Sequence, residues 1–233
     1  MVESAVGENN LRGTIMLQKN FRRVVEKNQG ALHSLEGNLL SAAGGHAPRS
    51  ILVTSSRPKE GKTTCAISLA CGLAGAGKGK VALVEGNLAR PSLHRAFGLE
   101  AGPGLADYLS DGREAAEFVQ ETDYANLSVM PCGADAAKLA DLFDAEVFRA
   151  KLASLRKHFD YVVFDGASVL DSSEACLMAG HFDGVVLVVE CERTKWEVLD
   201  VAKETVLQAG GKVLGVILNK RRYYVPKILY GSV

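Results

Sequence analysis

Val53-Thr54-Ser55-Ser56-Arg57-Pro58-Lys59-Glu60-Gly61-Lys62-Thr63-Thr64 continues the apolar run Ile51-Leu52-Val53 and opens a helical pattern. A strand that passes into a helix through Gly-Lys-Thr gathers backbone N–H groups and a helix N-terminus around one point, an arrangement suited to a polyphosphate. In such a loop Lys62 reaches the β- and γ-phosphates and the Thr63 hydroxyl sits on Mg²⁺. Pro58, Lys59, Glu60, Gly61 and Thr64 complete the expected cradle, and ATP and Mg²⁺ are the cofactors it implies. The first glycine of the general GxxxxGK[ST] pattern is Ser56 here, so the loop is a variant one.

Outward from the loop, short apolar runs recur between helical stretches: Ile51–Val53, Val81–Val84, Leu127–Met130, Tyr161–Phe164, Val185–Val189 and Val213–Leu218. Unbroken runs of Val, Ile and Leu suit strands buried on both faces, and their alternation with helices predicts an α/β fold: a doubly wound, mainly parallel sheet with helices on both faces. Ligands in such sheets bind beyond the carboxyl ends of the strands, where the loop lies. The glycine-rich Ala74–Lys80 segment follows a helix and precedes a strand, the reverse of a dinucleotide fingerprint, and reads as a helix stop and turn.

The expected organisation is a weakly ordered leader at 1–18, an amphipathic helical segment at 19–47, a nucleotide-binding domain at 48–222 and a tyrosine-containing tail at 223–233. With 233 residues, 47% of them hydrophobic, the chain has ample material for one such core. Twenty-seven basic and 27 acidic residues cancel to a formal net charge of zero, which argues against nucleic acid as a partner. The five cysteines form no CxxC pair and read as small buried residues of a reducing compartment. No signal-like or membrane-spanning apolar stretch is evident, so a cytoplasmic location is expected, with any contact to the inner membrane made through a partner.

Further landmarks surround the loop in sequence order. They are Glu85-Gly86-Asn87, Arg90-Pro91-Ser92-Leu93-His94, Phe97-Gly98-Leu99, Gly104-Leu105 with Asp107-Tyr108-Leu109, Phe159-Asp160-Tyr161, and Val213-Leu214-Gly215-Val216 with Leu218-Asn219. Asp165 ends a strand with a carboxylate fit to hold a Mg²⁺-bound water, and Asn219 ends another with an amide able to read adenine.

With these motifs the chain resembles the bacterial protein-tyrosine kinases of capsule and exopolysaccharide loci, over roughly residues 30 to 230. The resemblance implies Lys62 as the phosphate lysine, Thr63 and Asp165 as Mg²⁺ ligands with Glu85 beside them, and Asn219 as an adenine contact. It also implies phosphoryl transfer to tyrosine involving Lys62, Glu85 and Asp165, with Glu85 as the base. Tyr223, Tyr224 and Tyr230 are the candidate acceptors. A membrane-embedded polysaccharide co-polymerase is the implied partner. Related partitioning and division ATPases carry a second lysine where this chain has Arg57, which favours the kinase branch.

Three departures accompany the match. The family's Asp-x-Asp-x-Arg reads Glu85, Asn87 and Ala89; its ring-forming Glu-x-x-Arg-x-x-Arg reads Gly30, His33 and Glu36; and its Asp-Thr-Pro-Pro reads Asp165-Gly166-Ala167-Ser168. The first weakens the acidic pair and the second removes the arginines of a self-associating ring. The third predicts a softer loop beside the phosphates. A nucleotide-binding adaptor without catalysis is therefore the alternative reading, and a partitioning-type ATPase the second. Trp196 is expected as a packing residue of its helix.

Overall fold

A computed structural model of the chain describes residues 15–27, 37, 47–77, 79–88, 90–99, 102–133 and 144–221. Seven strands are described: β1 (Ser50–Ser55), β2 (Val81–Gly86), β3 (Gln120–Glu121), β4 (Leu127–Met130), β5 (Tyr161–Ser168), β6 (Gly184–Glu190) and β7 (Val213–Asn219). They form one sheet in the order β3-β4-β2-β5-β1-β6-β7. Every pair is parallel except β3 with β4. The six expected strands are all present; β3, two residues long, has too short a pattern to be read.

The continuous apolar runs are explained by burial from both sides. Along β1, Ile51 and Val53 face one layer and Leu52 the other. The first layer is built by α1 (Lys19–Lys27), α2 (Lys62–Gly75) and α3 (Leu93–Phe97), through Val25, Ile67, Cys71 and Phe97. The second is built by α4 (Leu105–Ser110), α5 (Ala145–His158), α6 (Ser173–Ala179) and α7 (Trp196–Gln208). There Phe148, Phe164 and Phe182 meet edge to face, with Phe164 and Phe182 centroids 4.9 Å apart. The doubly wound α/β fold expected from the sequence is the fold observed.

The winding sets the site. β5 lies between β1 and β2, and its Asp165 is in register with Val53 of β1 and Glu85 of β2. Three chain segments far apart in sequence thus end side by side at the carboxyl edge of the sheet. At the opposite end Asp183 accepts bonds from the Arg49 and Ser50 N–H groups at 2.8 and 2.9 Å and pairs with Arg156 at 3.2 Å. This carboxylate fixes the entry to β1.

Several expectations need correction. Residues 15–18 belong to the body: Ile15 bridges to Thr122, Leu17 is buried, and the Gln18 N–H donates to the Ala96 carbonyl. The Asp165–Ser168 segment is not soft. It continues β5, and four bonds zip it and the next two residues to the phosphate loop: Thr54 Oγ1 to the Ala167 carbonyl (2.5 Å), Ser55 with Ser168 through their hydroxyls (3.3 Å), and the Val169 and Leu170 N–H groups to the Ser55 and Ser56 carbonyls. Trp196 does not pack; it is 71% exposed, because Leu199, Ala202 and Val206 form the buried stripe of α7 and the first residue falls on its flank.

Cys71 is buried, whereas Cys65, Cys132, Cys176 and Cys191 are half-buried, and all five are free thiols. The glycine-rich turn is as expected: α2 ends at Gly75, and Gly77 and Gly79 take positive φ. The positions read against the ring motif (Gly30, His33, Glu36), Ala89 and the tail tyrosines Tyr223, Tyr224 and Tyr230 lie outside the described residues. No described helix is long and apolar enough to cross a membrane.

Candidate functional site

The phosphate loop emerges from the centre of the sheet and turns into α2 at Gly61, whose φ of 95° only glycine adopts without strain. Lys59 also lies in the left-handed region, at φ 68°. Glu60 is buried and braces the turn from within: its Oε2 accepts the Arg57 N–H at 2.8 Å and its Oε1 accepts the Thr194 hydroxyl. Of the remaining cradle residues, Pro58 and Thr64 are half-buried and Lys59 is exposed. Ser56 stands fully buried, its hydroxyl without a partner among the described residues.

Lys62 opens α2 and is 8% exposed. Its charge, with two carboxylates, defines the electrostatics of the site. Glu85 and Asp165 are 1% and 0% exposed. Glu85 Oε2 accepts the Ser92 and Leu93 N–H groups at 2.7 and 2.5 Å, capping the first turn of α3. Its Oε1 and both oxygens of Asp165 have no partner among the described residues.

Burial above all raises both carboxyls over the ordinary carboxylate range. For Glu85 the Asp165 charge adds to the rise, while the Leu93 and Ser92 N–H groups and Lys62 oppose it. For Asp165 the nearby Thr63 hydroxyl and Lys62 pull downward. That hydroxyl also lies 2.9 Å from Ser92 Oγ, a contact in which either oxygen can donate.

Three buried carboxylate oxygens without partners, beside a hydroxyl and an ammonium, are costly in a protein interior. They match the donor set of a hard divalent cation, which takes oxygen ligands and keeps several waters. Thr63, Asp165 and Glu85 are thus brought together. The role of Glu85 as a base fares less well, since one oxygen is occupied by α3 and the other is sealed from solvent. Its geometry fits holding.

Asn219 reaches the site, but its Nδ2 donates to the Glu60 carbonyl at 2.8 Å, so here it braces the loop. Three participants are not among the candidate site residues: Ser92, which entered only as part of the Arg90–His94 landmark, Thr194 and Lys220. Each acts through a contact 29 or more residues away in the chain, which no local pattern reveals. A groove of about 830 Å³, lined by Lys80, Tyr124, Asn126 and His158 among others, lies at the other ends of the strands and includes no loop residue.

Known proteins similar to this chain share its sequence pattern and its fold. A family model described as an AAA domain matches residues 49–208. The tyrosine-protein kinase YwqD of Bacillus subtilis (strain 168) is 30% identical over 214 residues, spanning 91% of this chain and 90% of that protein. The tyrosine-protein kinase CpsD of Streptococcus agalactiae is 32% identical over 171 residues, or 73% of this chain and 74% of its own. Among solved structures, the chimerical protein CapA2B2 matches with a TM-score of 0.79 and 27% identity, covering 90% of this chain and 94% of that one. The septum site-determining protein MinD of Pyrococcus horikoshii OT3, complexed with Mg-ADP, shares the fold at a TM-score of 0.62 and 24% identity over 78% of this chain and 75% of that one. The chain belongs to the bacterial P-loop tyrosine-protein kinase family.

Proposed function

We propose that the chain binds Mg²⁺-ATP and transfers its γ-phosphoryl group to tyrosine, in the control of capsule or exopolysaccharide assembly. The observation that carries this reading is the juxtaposition of three orphaned carboxylate oxygens on Glu85 and Asp165 with Lys62 and Thr63. Mg²⁺, when bound, would neutralise the phosphate charge that builds during transfer. Thr63, Asp165 and, beside them, Glu85 would hold it. Lys62 lies in the loop to pair with the β- and γ-phosphates, and the N–H groups ahead of α2 supply the remaining donors.

Phosphoryl transfer passes through a loose transition state, so positioning and electrostatics outweigh a strong base. The sealed Glu85 is compatible with transfer for that reason. Tyr223, Tyr224 and Tyr230 are the proposed acceptors, and a membrane-embedded co-polymerase the proposed partner, which would bring the protein to the cytoplasmic face of the inner membrane. Incubation of the purified chain with Mg²⁺-ATP, followed by phosphotyrosine mapping, tests the reading. Label at one or more of the three tyrosines is expected, and no phosphotyrosine with or without the co-polymerase refutes transfer.

One observation favours a second reading, a nucleotide-binding adaptor that spends no ATP. Asn87 offers no carboxylate beside the pair, and half of the Glu85 carboxylate is committed to α3. The double variant Glu85→Asp/Asn87→Asp separates the two. A silent wild type and a labelled double variant would place the loss at this motif.

A further inference from the structure

Two residues at the end of the edge strand β7 grip the phosphate loop from outside. Asn219 Nδ2 donates to the Glu60 carbonyl at 2.8 Å, and Lys220 Nζ donates to the Lys59 carbonyl at 2.6 Å. Lys220 is itself held by Glu190 Oε2 at 3.0 Å, and Glu190 also pairs with Arg193 at 3.5 Å. The contact is backed by steric fit. A Cβ at position 61 would collide with the Asn219 amide.

Each peptide unit is planar and trans, so its N–H points opposite its C=O. Carbonyls of Lys59 and Glu60 drawn towards β7 therefore turn the Glu60 and Gly61 N–H groups to the other side of the loop. Neither N–H has a partner among the described residues. Lys59 and Lys220, at φ 68° and 57°, both occupy a left-handed region that costs a non-glycine residue on the order of 1 kcal/mol. Strain on both sides of one contact is a sign that the contact has a use.

We propose that Lys220, steered by Glu190, is a positioning residue for phosphate binding: with Asn219 it holds two loop carbonyls outward and so presets the N–H cradle for the anion. The inference rests on the nucleotide-binding reading above. It assigns Lys220 no contact with the nucleotide. A lysine close to a phosphate loop would ordinarily be taken for a direct phosphate ligand, and the two roles differ in what Glu190 does. For a direct ligand Glu190 is a competing anion, and its removal strengthens binding. For a latch it is the anchor, and its removal weakens binding.

Calorimetric titration of the full chain with ATP and with inorganic tripolyphosphate distinguishes them, using wild type, Lys220→Met and Glu190→Gln. The expected result is binding of both ligands to wild type, roughly tenfold weaker binding of both to Lys220→Met, and severalfold weaker binding to Glu190→Gln. Glu190→Gln leaves the lysine in place and guards against a Lys220 variant that fails to fold. Unchanged or tighter binding in Glu190→Gln overturns the latch, as does weakening confined to ATP, which would place the effect at the base. A wild type that binds neither ligand removes the nucleotide reading and the latch with it. Binding by wild type and both variants alike removes the latch alone.

Discussion

Replacing Asp165 by asparagine is expected to stabilise the ligand-free protein while abolishing its response to metal. Asp165 is fully buried, and neither its oxygens nor Glu85 Oε1 beside it has a partner among the described residues. An uncompensated buried charge costs about 3–5 kcal/mol and an unsatisfied neutral amide about 1–3, so the exchange should gain roughly 2 kcal/mol where the carboxylate is ionised. The pH dependence follows from the raised carboxyls. A group whose folded pKa lies above its unfolded value contributes stability that is complete below the unfolded value and is lost as pH rises through the folded one. Wild type should therefore lose stability from pH about 5 to about 8, and Asp165→Asn should lose less. For a domain of this size the gain at pH about 8 amounts to about 4–8 °C in thermal midpoint, shrinking towards zero at pH about 5. Thermal unfolding by circular dichroism across that range is the assay. A variant less stable than wild type at pH about 8, or a gain identical at both ends, would refute the reasoning.

Two further outcomes concern the frame around the site. Phe164→Ala removes the ring that meets Phe148 and Phe182 immediately before Asp165, and is expected to cost about 3–5 kcal/mol in denaturant unfolding. Asp183→Ala leaves the Arg49 and Ser50 N–H groups and Arg156 without their shared acceptor. It is expected to cost about 1–3 kcal/mol, with nucleotide affinity unchanged because Asp183 lies at the far end of β1.

The strands were legible because burial on both faces imposes a plain requirement, an unbroken apolar run, and six segments meet it. The loop was legible because a phosphate cradle needs glycine, lysine and threonine in fixed order. Asp165 could be placed near the carboxyl edge because it follows the apolar run Tyr161–Phe164, although β5 continues past it to Ser168. The sequence hid what depends on partners brought together by folding. Glu85 looks like a catalytic carboxylate until α3 is seen to use half of it as a cap. Gly166-Ala167-Ser168 looks soft until its neighbouring strand is known to be β1, which takes up its bonds. Trp196 looks like a core residue until the stripe of α7 is fixed by Leu199, Ala202 and Val206. Lys220 is one more basic residue after a strand until its ammonium is found on the Lys59 carbonyl.

The account stands on Glu85 and Asp165 forming, with Lys62 and Thr63, a site for a metal-bound nucleotide. The most direct measurement is ATP affinity of the full chain with and without Mg²⁺, for wild type and Asp165→Asn, at a pH where the carboxyl pair is ionised. Wild type is expected to bind ATP at least about tenfold more tightly with Mg²⁺, the scale on which losing one metal-site carboxylate acts, and Asp165→Asn to lose that dependence. Equal affinity with and without the metal in wild type would contradict the central claim.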